Sequence, residues 1–156
     1  MTTKITVKEH LQEYMIGKFY DSEKIAIRLP DNLDLYHTIY DLLESRPINV
    51  VRDCGNLEIF LPERSNGKKT NKYNYLGLRS VRIIENKIEN MFWAELHDLL
   101  DEQKHREGIE YINTVYLFLR KYSITSITDD ALLKNYYRWR DTVRKKNRRR
   151  DYKKTA

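Results

Sequence analysis

Residues 78–108, LRSVRIIENKIENMFWAELHDLLDEQKHREG, set the architecture of this chain. Val81, Ile84, Ile88, Met91, Phe92, Leu96 and Leu99 recur at helical spacing, which predicts one long helix from about Leu78 to Arg106. Trp93 and Leu100 widen its apolar sector, so the helix is expected to pack on more than one side. At ~1.5 Å per residue it runs roughly 40 Å. Gly108 is its expected stop.

Upstream, the pattern mixes helix and strand. In TVKE, Thr6 is placed to cap a first helix and Glu9 to reach back, with Val7, Leu11, Tyr14 and Met15 on one face. Gly17 to Ser22 ends it. The alternation of Ile25, Ile27 and Leu29 before Pro30 predicts a strand over Lys24–Leu29. Asp31 or Asn32 is the expected cap of a second helix, with Leu35, Ile39, Leu42 and Leu43 as its buried stripe and Pro47 as its close. INVVRDCGNLEIFLP reads as a β-hairpin, with Ile48–Val51 as one arm, DCGN as the turn and Leu57–Leu61 as the other. ERSNGKKTNKYNY follows as a polar, basic loop.

Downstream, Ile109, Ile112, Val115, Tyr116 and Leu119 mark a helix, and YSITSIT a turn. Thr128 is the expected cap of the last helix, with Asp129 and Asp130 favourable beside its N-terminal dipole. Leu132, Tyr136, Trp139 and Val143 form an apolar stripe that anchors this helix, which is expected to fray beyond Arg150. The fold class that follows is α+β. A small antiparallel sheet packs with two N-terminal helices. A long central helix and a helix-turn-helix-like unit with a basic last helix come next. The portions are 1–76, 77–150 and a basic tail at 151–156, taken together as one compact domain.

Charge is unevenly placed. Arg138, Arg140, Arg144, Lys145, Lys146, Arg148, Arg149, Arg150, Lys153 and Lys154 are opposed only by Asp141 and Asp151 after residue 137. That is a local +8 against +6 for the 156-residue chain, leaving −2 elsewhere. A near-neutral domain with a concentrated cationic end points to a polyanionic partner, either nucleic acid or an anionic membrane surface. Nucleic acid is the expected one, most of all double-stranded DNA, with no membrane partner. A second copy of the chain is a further candidate partner. No apolar run reaches the ~18 residues of a membrane span. MTTKITVKEH is charged where a signal peptide needs its apolar core. Cys54, the single cysteine, allows no internal disulfide, and the expected compartment is cytoplasmic.

Helix, short turn and capped helix with a basic outer face is the layout of a helix-turn-helix DNA reader, here Ile109–Tyr122, SITSIT and Thr128–Arg150. Lys134, Arg138, Lys145 and Arg149 share one face, flanked by Arg140, Arg144 and Arg148. Together with Lys146 and Arg150 they are the candidate phosphate contacts. Asn135 and Arg138, nearer the helix start, are the candidates for reaching base edges. Asp129 and Asp130 oppose a tip-first entry into DNA, so contact through the middle and C-terminal half suits the charges better. Arg64, Lys68, Lys69 and Lys72 in the loop form a candidate second contact, like a wing; an ordinary surface loop is the competing reading.

Other chemistry is thinly supported. His97, Asp101 and His105 lie four apart, a spacing that can bind metal, but the charges around them read as a solvated face. Tyr136 and Tyr137 have no histidine pair or acidic metal cluster to activate them as nucleophiles, and Tyr136 reads as core. Cys54 sits in a turn without a neighbouring histidine. There is no P-loop and no G-x-G-x-x-G. The expectation is a protein that is not an enzyme and uses no metal or cofactor.

The stretches LPDNLDLYHTIYDLL, GNLEIFLP, YNYLG, MFWAELHDLLDEQKH and SITDDALLKNYYRWRDTVRKK together resemble small, mostly uncharacterised proteins of phages and mobile elements of gut anaerobes. The resemblance covers most of the chain. It implies a DNA-binding regulator or accessory factor of a mobile element and brings no catalytic residues. The alternatives from other classes are a structural or assembly protein whose basic end binds an acidic partner, an RNA-binding protein, and a nuclease with a scattered acidic site.

Overall fold

In a computed structural model of the protein, the described residues are 1–50 and 54–155, with side chains described as far as Arg150. The elements in order are β1 (Thr2–Ile5), α1 (Glu9–Phe19), β2 (Tyr20–Asp21), β3 (Ala26–Ile27), α2 (Asp34–Leu42), β4 (Glu44–Ser45), β5 (Leu57–Phe60), β6 (Tyr73–Tyr75), α3 (Leu78–Glu107), α4 (Tyr111–Lys121) and α5 (Asp129–Thr155). The fold is α+β.

The sheet differs from the expected one. Thr3, Ile5 and Val7 are buried at every second position, the period of a strand with one face on a core. β1 therefore pairs antiparallel with β5, Thr2 opposite Phe60 and Ile5 opposite Leu57. β5 pairs parallel with β3 on its other side, because the chain crosses over through α2 between them. With β2 antiparallel to β3, the order is β1-β5-β3-β2 and the sheet is mixed, not antiparallel throughout. The N-terminal strand takes the place given to Ile48–Val51. Ile48 is fully exposed and residues 46–50 form no strand, while Val51 and the expected turn residue Asp53 lie outside the described residues. β4, from the end of the expected second helix, and β6, from the expected basic loop, form a separate two-stranded sheet.

Local signals explain the other shifts. Thr6 caps nothing. The Asn56 side chain clasps Val7, accepting its N–H at 3.0 Å and donating to its carbonyl at 2.7 Å, so the chain stays extended until Lys8. Gly55 makes this possible, since a Cβ there would lie 2.4 Å from the Ile5 carbonyl oxygen. α2 starts later than Asp31 or Asn32 allows, with Asp34 in its first turn paired to Lys87 of α3. It ends at Leu42, well before Pro47. Ile25 sits at φ 52°, 70% exposed, so only Ala26–Ile27 of the expected strand pairs.

One core runs from Ile5 to Tyr136. Along α3, Ile84, Ile88, Phe92, Leu96 and Leu100 are buried, and the helix meets α1, α2 and α4. Phe92 lies at its centre, edge-to-face with Tyr14 at 5.3 Å and with Phe118 at 5.3 Å. Gly108 ends the helix in the left-handed conformation (φ 65°), its N–H returning to Lys104 and that of Ile109 to Gln103. On α4 the buried face is Thr114, Val115 and Phe118, rotated from the expected one. Tyr116 is exposed, and its hydroxyl donates to Asp129 at 3.1 Å.

Candidate nucleic-acid interface

α5 divides into a seated half and a free half. The start is held as its residues dictate: Thr128 Oγ1 accepts the Ala131 N–H at 3.2 Å, and Asp130 pairs with Lys134 at 3.0 Å. Leu132 and Tyr136 enter the core. The Tyr136 hydroxyl donates to Asp101 of α3; burial first, then this carboxylate, pushes the phenol well above its ordinary value.

The surface of α3 beneath α5 is the one that read as a solvated face. His97 is buried and Asp101 half-buried, both turned to α5, while His105 is exposed. Their apparent metal spacing is thereby broken, and no group of three or more metal-ligating side chains is found among the described residues. His97 Nε2 lies 3.0 Å from Asn135 Oδ1, which can only accept, so the imidazole carries its proton on Nε2. Burial holds His97 below the ordinary imidazole value, against the opposing pull of Asn135, Asp101 and Asp98. Asn135 thus faces the domain, away from the position a base-reading side chain needs.

The apolar stripe gives out partway. Trp139 rests one side against His97, with ring centroids 4.6 Å apart, yet stays 40% exposed, and Val143 is exposed as well. Arg140 is the last tethered cation, its Nη1 3.4 Å from the Tyr111 hydroxyl. From Asp141 to Arg150 every residue is exposed. At about 100° per residue, Arg144, Lys145, Lys146, Arg148, Arg149 and Arg150 spread over about 240° of the helix circumference. With Arg138 on the outer face, these side chains engage no ion pair or hydrogen bond among the described residues. The helix runs on to Thr155, past the expected limit at Arg150.

The loop cations are placed differently. Lys68 Nζ lies among the carbonyl oxygens of Tyr40 (3.3 Å), Asp41 (2.7 Å) and Leu43 (3.0 Å), where it satisfies the C-terminal end of α2. Arg64 lies 3.9 Å from the centre of the Tyr40 ring and 2.8 Å from His37 Nδ1. Lys69 bonds the Ser65 carbonyl at 3.0 Å, and Lys72 is exposed. This loop sits on α2, which meets α3 at Lys87; α5 is seated at His97 and Asp101. The loop cation Lys68 thus serves the C-terminal end of α2, while α5 is seated on α3.

A second titratable cluster lies at the edge of the core. Glu95 accepts from Tyr122 at 2.6 Å and pairs with Lys18 at 3.3 Å. Burial raises its carboxyl, but the hydrogen bonds from Tyr122 and Tyr14 and the Lys18 charge outweigh it and hold the pKa low. The cluster ties α1, α3 and the end of α4 together. Among the described residues, no helix is long and apolar enough to cross a membrane. Comparison with protein-family models, with curated proteins and with solved structures finds no match.

Proposed function

We propose that the protein is a non-enzymatic DNA-binding factor that grips duplex DNA with the free half of α5. The single observation that carries this reading is the exposed run from Asp141 to Arg150, cationic around about two-thirds of its circumference and seated by Tyr136 and Leu132 at its root. A helix of about 10 Å diameter enters the ~12 Å major groove, where cations on opposite sides meet both phosphate walls. Arg144, Lys145, Arg148 and Arg149 then contact phosphates and release counterions. α4, the turn and α5 act as a helix-turn-helix-like unit used in an unusual way. Its tip, carrying Asp129 and Asp130, stays off the DNA, and its distal half does the binding. Of the two candidates for base contact, Arg138 keeps the role because it is exposed; Asn135 does not, because His97 holds it. The setting is a regulator or accessory factor of a phage or mobile element, on the resemblance of the stretches quoted above.

The test is fluorescence anisotropy with labelled duplex DNA, RNA duplex and an acidic peptide at several salt concentrations. Binding to duplex DNA that weakens steeply with salt, and collapses on changing Arg144, Lys145, Arg148 and Arg149 together to Gln, is the expected result. Preference for the acidic peptide or RNA, or binding that survives the change, overturns the reading.

A further inference from the structure

Three rings form a ladder across the root of α5. Trp93 lies 6.0 Å from His97 at 37°, and His97 lies 4.6 Å from Trp139 at 31°. His97 is buried, Trp93 is half-buried, and Trp139 closes the ladder with 40% of its surface in solvent. Leu132 and Tyr136 already anchor α5, and Trp139 adds a ring that packs on His97 and Tyr136 yet stays part-exposed, as Tyr137 and Val143 do. Its surroundings are cationic: Arg138 and Arg140 flank it in sequence, and at helical spacing Val143, Lys146 and Arg150 follow on the same side. An aromatic face beside a track of cations is how proteins hold an unstacked nucleobase and its neighbouring phosphates.

We propose that Trp139 is a stacking platform for one unpaired base, which extends the Trp93–His97–Trp139 ladder while the distal cations hold the adjoining duplex. The preferred target is then duplex DNA next to an unpaired nucleotide, such as an overhang or a fork. This rests on the reading of α5 as a DNA-binding helix. The platform is rigid because His97 is fixed from behind by Asn135. Lys146, seven residues on, lies about 10 Å along the helix axis, within reach of the phosphates beside a stacked base.

The chain has two tryptophans, so Trp93→Phe leaves Trp139 as the sole indole emitter. Its fluorescence is followed while blunt duplex, the same duplex with a short single-stranded overhang, or polyphosphate is added. The overhang DNA should quench Trp139; blunt duplex and polyphosphate should not. In the parent protein, overhang DNA should bind about 10-fold tighter than blunt duplex, as one base–aromatic stack allows. Trp139→Ala should abolish that advantage and leave blunt-duplex affinity in place, while Trp139→Phe, which keeps a ring, should retain part of it. Equal affinity for the two DNAs, or quenching by polyphosphate as strong as by overhang DNA, overturns the platform and leaves duplex binding standing. Failure to bind either DNA overturns both.

Discussion

Lys68 and Lys145 each lie in a strongly basic stretch, yet Lys68 Nζ is surrounded by three carbonyl oxygens of the α2 terminus while Lys145 stands in solvent. The loop cation fills a need created by the fold, because the last carbonyls of a helix have no partner within it. The α5 cations from Arg144 to Arg150 fill none among the described residues. Arg140–Arg144, Arg144–Arg148, Lys145–Arg149 and Lys146–Arg150 are like charges four apart, each costing a few tenths of a kcal/mol. Charge that destabilises its own helix and meets no internal partner is charge directed outward. Density of lysine and arginine therefore says little by itself; what each ammonium or guanidinium touches decides its role.

This contrast can be broken or sharpened by substitution. The largest effect is expected at the root of α5. Tyr136→Ala should cost about 3–5 kcal/mol, because a buried aromatic leaves a cavity and Asp101 loses its donor. A melting temperature that hardly moves would mean α5 is not seated. Lys68→Ala should cost about 1.5–3 kcal/mol by stranding the α2 carbonyls, with no loss of DNA affinity at temperatures where the variant is folded. If instead it weakened DNA binding without changing stability, the loop and α5 would have exchanged roles.

Trp139→Ala should cost only about 1–2 kcal/mol, less than a fully buried tryptophan, since 40% of the side chain is already in water. Calorimetry of both aromatic variants tests whether the seat ends between residues 136 and 139. Acid should loosen the same seat. His97 in that seat, and His10 of α1 beside Phe92 in the core (ring centroids 5.3 Å apart), both titrate below the ordinary imidazole value because burial disfavours the imidazolium. Their stabilising effect is therefore complete above the unfolded value of about 6.5 and is lost as pH falls through it toward the folded values. Thermal melts should drop between pH 7.5 and 5.5, and His97→Gln should shrink the drop. Stability that rises on acidification would contradict the placement of His97. The smallest change is expected from replacing Arg144, Lys145, Arg148 and Arg149 together with Gln, which removes three of the like-charge pairs and should raise stability in thermal melts by about 0.5–1.5 kcal/mol.

Signals carried by near neighbours were readable in the sequence. The helical spacing of Ile84, Ile88, Phe92 and Leu96, the Gly108 stop and the Thr128 cap each depend on a few adjacent residues, and each stands in the structure. The failures came from long-range pairing. Thr3, Ile5 and Val7 do alternate, but a short threonine-rich run gains strand character only by lying against Leu57–Phe60. Ile48–Val51 has stronger strand composition, yet Ile48 finds no cover. At the site, the cationic run and the Tyr136 anchor were legible from periodicity. That α5 would sit on the His97–Asp101 face was not, since charged neighbours disguise a buried histidine. Nor could spacing tell that Asn135 points inward or that Lys68 closes α2.

The most direct test sets three proteins side by side on the same duplex DNA, each titrated across salt: the parent, the variant with Arg144, Lys145, Arg148 and Arg149 changed to Gln, and one with Arg64, Lys69 and Lys72 changed to Gln. Each lost phosphate contact lowers the slope of log affinity against log salt by about one unit. The α5 variant should lose about four units and the loop variant none. A slope that falls with the loop variant and holds with the α5 variant would contradict the account.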